Sequence, residues 1–152
     1  MPLLSPEDQA QLQEIFQQEL VNDVHILLFT QRETRIAIPG FEQLAQRCAE
    51  ANQIMQEVSA LSDKIHLEVF DYRMDAEKLK EHGVERVPTA VIGSSGTSPA
   101  RFIGVPAGYE FSTLIKDIVD LSTNTIDLSD DTQTTLKELQ EDVHIQVFVT
   151  PT

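Results

Sequence analysis

One thiol and four imidazoles are the side chains best suited to chemistry in this 152-residue chain. Thiol–disulfide exchange through a dithiol needs two cysteines at i and i+3 near a helix N-terminus, where the helix dipole favours the thiolate. Cys48 stands alone, so neither a dithiol nor an internal disulfide can form within this sequence. Two roles remain open for it. Cys48 recurs with Phe41, Leu44, Ala45, Ala51, Met55 and Val58 at three- and four-residue spacing, which makes it a small core residue. Alternatively, the neighbouring Arg47 activates Cys48 for monothiol chemistry or glutathione capture.

The remaining candidates are weaker. His25, His66, His82 and His144 show no metal-ligand spacing, and one cysteine cannot supply a zinc or iron–sulfur set. There is no glycine-rich phosphate loop and no Ser-His-Asp arrangement to nominate. No metal and no cofactor are expected. Asp127, Asp130 and Asp131 read as helix capping and solvation. A formal charge of −14, from 11 basic against 25 acidic residues, argues against nucleic acid or anionic membrane as partner. Apolar content of 41% and charged content of 24% fit a globular domain. The opening Met1-Pro2-Leu3-Leu4-Ser5-Pro6 lacks the pattern of a signal peptide, and no apolar run approaches the ~20 residues of a membrane span. The expected compartment is the cytoplasm.

The elements that must position these residues are legible in outline. Ser5, Pro6, Glu7 and Asp8 form a helix start, and Leu12, Ile15, Phe16 and Leu20 share one face. Val24 to Phe29 is a nearly continuous apolar run, suited to a strand buried on both faces. An irregular connector over 31–38 leads through Pro39-Gly40 to a long helix from about Phe41 to Leu61. Ile65 to Phe70 predicts a second strand, and Asp71 to His82 a short helix closed by Gly83. Thr89 to Ile92 and Arg101 to Ile103 predict two strands joined by a turn at Gly96. A helix carrying Phe111, Leu114, Ile115, Ile118 and Val119 follows. Strands joined through a long helix are parallel and those joined by a short turn antiparallel. The expected product is an α/β fold, a four-stranded mixed sheet with helices on both faces.

The chain also copies its own beginning. Asp23-Val24-His25-Ile26-Leu27-Leu28-Phe29-Thr30 returns as Asp142-Val143-His144-Ile145-Gln146-Val147-Phe148-Val149-Thr150. Upstream, Ser5, Gln9, Leu12 and Glu14 reappear as Ser129, Gln133, Leu136 and Glu138. A helix-plus-strand module is duplicated. Residues 1–122 are therefore expected to form one domain, and 123–152 a linker and the truncated start of a second copy. The repeated strand, His144 to Val149, lacks second-unit neighbours here. It is expected to dock on an edge of the first sheet or to pair with another subunit as a homodimer.

This order of elements resembles the thioredoxin and glutaredoxin superfamily. Val87-Pro88-Thr89, at the start of the third strand, is similar to the cis-proline site where the residue before the proline offers its backbone to an extended substrate. Phe102-Ile103-Gly104-Val105-Pro106-Ala107-Gly108-Tyr109-Glu110-Phe111 resembles the strand-to-helix turn of tandem glutaredoxin-like protein disulfide oxidoreductases and of the N-terminal domain of the alkyl hydroperoxide reductase flavoprotein subunit. Val147-Phe148-Val149-Thr150-Pro151-Thr152 resembles the first strand of their second unit, where Cys-Pro-x-Cys would come next. The resemblance implies that Cys48 occupies the second cysteine position, that Ala45 replaces the attacking thiol, and that Val87, Pro88 and Thr89 bind substrate. It implies a redox-inactive unit that serves as scaffold, docking or dimerisation module. The alternative is a thiol–disulfide oxidoreductase, monothiol through Cys48 or dithiol in a longer parent, acting on a protein or peptide thiol or disulfide.

Overall fold

Ser5 caps helix α1 (Pro6–Glu19) in the computed structural model, which describes residues 2–31, 42–97 and 99–148. Its hydroxyl accepts the Asp8 amide at 3.1 Å, and the Asp8 carboxylate reaches back to the Ser5 amide. This reciprocal cap satisfies two amides that the helix cannot pair itself. Strand β1 (Val24–Thr30), helix α2 (Glu42–Ser59), strand β2 (Ile65–Asp71) and helix α3 (Ala76–Glu81) follow. The chain continues through β3 (Thr89–Ser94), β4 (Ala100–Ile103), α4 (Tyr109–Thr123) and α5 (Asp130–Lys137).

The sheet runs β2-β1-β3-β4, with β1 parallel to β2 and antiparallel to β3, and β3 antiparallel to β4. This is the expected four-stranded mixed sheet. Helices α1, α2 and α4 bury one face, where Phe16, Ile26, Leu28, Met55, Ile92, Leu114 and Ile118 form the main core. On the other face, Leu79 of α3 and Val84 after it bury Phe29 and Val91, with Leu27 and Phe70 only partly covered.

That short cover corrects two expectations. β1 is not buried on both faces along its length: His25 is exposed and Leu27 half-buried, because six-residue α3 reaches only the far end of that face. The helix expected from Asp71 begins at Ala76 instead. The buried Asp71 carboxylate accepts the amides of Arg73 and Met74 at 2.9 and 3.1 Å, which holds a turn where the helix would have started. The connector after Gln31, the helix start at Phe41 and residues 149–152 lie outside the described residues.

The second copy is only half built. In α5, Ser129 accepts the Thr132 amide, and Gln133 Nε2 donates to the Leu128 carbonyl just as Gln9 does to Leu4. Its strand does not form. Residues 142–148 have no regular structure and add to no edge of this sheet. Helix caps are local, whereas a strand exists only through partners distant in sequence.

Two polar clamps lock the layers. Buried Ser122, at the end of α4, accepts the amides of Val21 and Asn22 at 2.9 and 3.0 Å and donates to the Asn22 carbonyl at 2.6 Å. The Glu57 carboxylate accepts the amides of Leu3 and Leu4 at 2.8 Å each, tying the N-terminal strap to α2. Partial burial pushes the Glu57 pKa up, but those amides and Gln53 outweigh it, and the net direction is downward.

Ser122→Ala removes the hydroxyl that joins the Val21 amide to the Asn22 carbonyl and is expected to cost about 1 kcal/mol, read as a lower urea midpoint at unchanged slope. Because the Glu57 pKa is lowered on folding, its stabilisation is complete above its ordinary value of 4.5 and is lost as pH falls through the folded value. The stability advantage of the wild type over Glu57→Gln should therefore shrink in melts taken below that pH.

Candidate functional site

The C-terminal end of β1 is where the candidate residues meet. Thr30 is buried there, and its hydroxyl donates to the Cys48 carbonyl at 3.4 Å, joining strand to helix α2. Its carbonyl accepts the Tyr72 amide at 2.8 Å, joining the strand to the β2–α3 turn. On the other side, Phe29 pairs with Thr89, so the same register carried one step further sets Pro88 level with Thr30. Cys48 and the Val87-Pro88-Thr89 stretch thus flank Thr30 at one end of the sheet.

The chemistry available there is limited by burial. Cys48 has 0% exposure and shares the inner stripe of α2 with Ala51, Met55 and Val58. A cleft of about 540 Å³ lies beside it, lined also by Gln31, Asn52, Gln53 and Val69, yet Cys48 contributes no accessible surface to it. Cys48 lies six positions after Glu42, the first described residue of the helix. The orphan amides of a helix end lie within its first turn, so none faces this sulfur. Arg47 is exposed, and one step along an α-helix turns a side chain by about 100°. Ala45 is half-buried and carries no reactive group.

The proline stretch is the more open part of the site. The Val87–Pro88 bond is cis. The Pro88 carbonyl accepts the Gly104 amide at 2.8 Å, and the Thr89 hydroxyl donates to Arg86 at 2.7 Å, so both flanks are fixed. Among the described residues, the amide and carbonyl of half-buried Val87 make no hydrogen bond. One unpaired donor and one unpaired acceptor on the same residue can pair with a chain from outside.

Sequence alone did not reveal three features. His25 and His66 stack with ring centroids 5.0 Å apart at the opposite end of the strands, and His66 Nε2 lies 3.3 Å from the Asp23 carboxylate. Only the parallel register His25↔His66 creates that pair, and no sequence pattern announces it. Among the described residues, no group of three or more His, Cys, Asp or Glu side chains could hold a metal. The third feature is the Asp71 turn, which leaves Tyr72 and Met74 exposed beside the site. Its signal was an acid at the end of an apolar run, followed four residues later by Asp75, whose carboxylate accepts the Asp71 amide at 2.7 Å.

No protein-family model and no curated protein matches the sequence. Solved structures do. A protein disulfide oxidoreductase from Aeropyrum pernix is similar at 28% identity and a TM-score of 0.71, over 89% of this chain and 55% of that one. The NTD_N/C domain of the alkyl hydroperoxide reductase AhpF from Enterococcus faecalis is similar at 21% identity and a TM-score of 0.69, over 88% of this chain and 59% of that one. The fold is thioredoxin-like. A mutant AhpF from the same organism aligns with a TM-score of 0.70 at 21% identity, over 90% of this chain and 61% of that one. The chain therefore spans between 55% and 61% of the length of these thioredoxin-like relatives. No helix among the described residues is long and apolar enough to cross a membrane.

Native protein is expected to react slowly with a maleimide and to take up one equivalent promptly in denaturant. A single fast phase in the folded state would place the sulfur at the surface.

Proposed function

We propose that this chain is a redox-inactive thioredoxin-fold unit of a tandem glutaredoxin-like disulfide oxidoreductase, a cytoplasmic protein in which it acts as scaffold, docking or dimerisation module. The observation that carries this reading is the enclosure of Cys48, its only sulfur nucleophile, with alanine one helical turn before it. A disulfide must approach a thiolate in line, which needs open space at the sulfur. Without that access, the function left to the site is recognition. The unpaired amide and carbonyl of Val87 suit an extended protein or peptide segment, added by backbone pairing. The name of the Aeropyrum pernix relative supports a disulfide-exchange setting, in which this unit would hold a substrate or position a redox-active neighbour.

Insulin reduction by dithiothreitol tests this directly. The chain is expected to give the turbidity onset of dithiothreitol alone, in wild type and Cys48→Ser alike. An acceleration that disappears in Cys48→Ser would establish monothiol catalysis instead. For the recognition role, titration with an extended peptide should shift the amide resonances of Arg86, Val87 and Thr89 equally in wild type and Cys48→Ser. Binding that requires the sulfur would contradict it.

A further inference from the structure

This strongly acidic chain gathers its described arginines around one end of the sheet. Thr30 at the end of β1 is hydrogen-bonded to Cys48 and Tyr72; Arg47 precedes the first and Arg73 follows the second. Arg86 immediately precedes Val87. Arg101 on β4 pairs with Val91, and its Nη1 donates to the Gly83 carbonyl at 3.2 Å, in the loop that leads to Val87. All four are exposed, and among the described residues none of them forms an ion pair. Lys78 and Lys116, by contrast, are matched to Glu81 and Asp120.

We propose that the extended segment recognised at Val87 is acidic, its backbone pairing with Val87 while its Asp or Glu carboxylates seat on Arg86 and Arg101. This charge preference rests on the reading of Val87 as a backbone-pairing residue. Arg86 and Thr89, on either side of Val87-Pro88, line a cleft of about 610 Å³ together with Arg101, and Glu85 is the one carboxylate among its lining residues. The acids of the β2–α3 turn are engaged on backbone amides: Asp71 accepts those of Arg73 and Met74, and Asp75 accepts that of Asp71.

The chemistry of the two guanidinium groups favours a carboxylate. Each presents five N–H donors in a planar fork that matches the two carboxylate oxygens. Arg101 uses one donor on Gly83, which steadies the side chain and leaves the others for a ligand. Alternate side chains of an extended segment share one side, so acids at every second position can reach both arginines. The formal charge of −14 pulls the other way and would attract a basic segment. At physiological ionic strength, exposed charges more than about 8 Å apart are largely screened, so the direct contacts decide.

Fluorescence anisotropy with three labelled peptides tests this: one threonine–valine host sequence with glutamate, glutamine or lysine at alternate positions. The glutamate peptide is expected to bind roughly tenfold more tightly than the glutamine peptide, and the lysine peptide most weakly. In the double variant Arg86→Gln, Arg101→Gln, with an unchanged far-ultraviolet spectrum, the glutamate and glutamine peptides should bind alike. Lys137→Gln, on the exposed α5, should keep the glutamate advantage, which separates local contacts from net charge. Equal affinity for all three peptides, with the Val87 amide resonance shifted by each, would overturn the charge preference and leave backbone recognition standing. Tightest binding of the lysine peptide, or a glutamate advantage that survives in the double variant, would overturn it equally. If no peptide shifts the Val87 resonance, the recognition reading falls and the charge preference with it.

Discussion

Two-sided pairing of β1 is the constraint from which the rest follows. Its backbone is committed to β2 on one edge and β3 on the other, and Val24, Ile26 and Leu28 are sealed beneath α1, α2 and α4. Each such side chain contributes about 1.5–3 kcal/mol of apolar burial. A slip of one residue would turn all three to the opposite face, so the register is fixed. Fixing it delivers Thr30 to the centre of one sheet end, and with it the α2 helix, the Tyr72 turn and the Pro88 level. The Ser122 clamp secures the connection from α1 into the strand, and Lys64 Nζ donates to the Leu20 and Val21 carbonyls at 2.6 and 3.1 Å. A candidate site at the end of this strand thus inherits its geometry from the core.

The two copies separate local from non-local stabilisation within one chain. The serine cap and the Gln-to-Leu hydrogen bond arise wherever the helix sequence occurs, because both partners lie within five residues. The strand carries nearly the same residues, yet it orders only beside Ile65–Asp71 and Thr89–Ser94. Strand propensity in Val143-His144-Ile145 is therefore a capacity that awaits a partner, since β-preference largely measures packing against neighbours.

Much of the fold was legible from the residues alone. Periodicity gave the helices, apolar runs the strands, and connection lengths their relative directions. The residues that flank the candidate site were legible too, since Cys48 falls on a helical stripe and Pro88 at the mouth of a strand. What escaped depends on long-range register or on side-chain competition. The Ser122 clamp spans 100 residues and the Glu57 strap 54. The His25–His66 stack needs two strands aligned residue for residue. At Asp71, a carboxylate took amides that helical periodicity had assigned to a helix. β1 appeared buried on both sides because its composition cannot report that α3 is only six residues long.

The position of Cys48 shows how the packing of a thioredoxin-like frame disposes of its one thiol. A helix offers anion-stabilising amides only in its first turn, and Cys48 lies beyond that turn with its own carbonyl engaged by Thr30. Turned inward with Ala51 and Met55, the thiol serves the same packing that holds α2 on the sheet. Rotating α2 to expose the sulfur would withdraw Ile54, Met55 and Val58 from the core. The sheet end therefore keeps unpaired backbone groups at Val87, while the sulfur is absorbed into the fold.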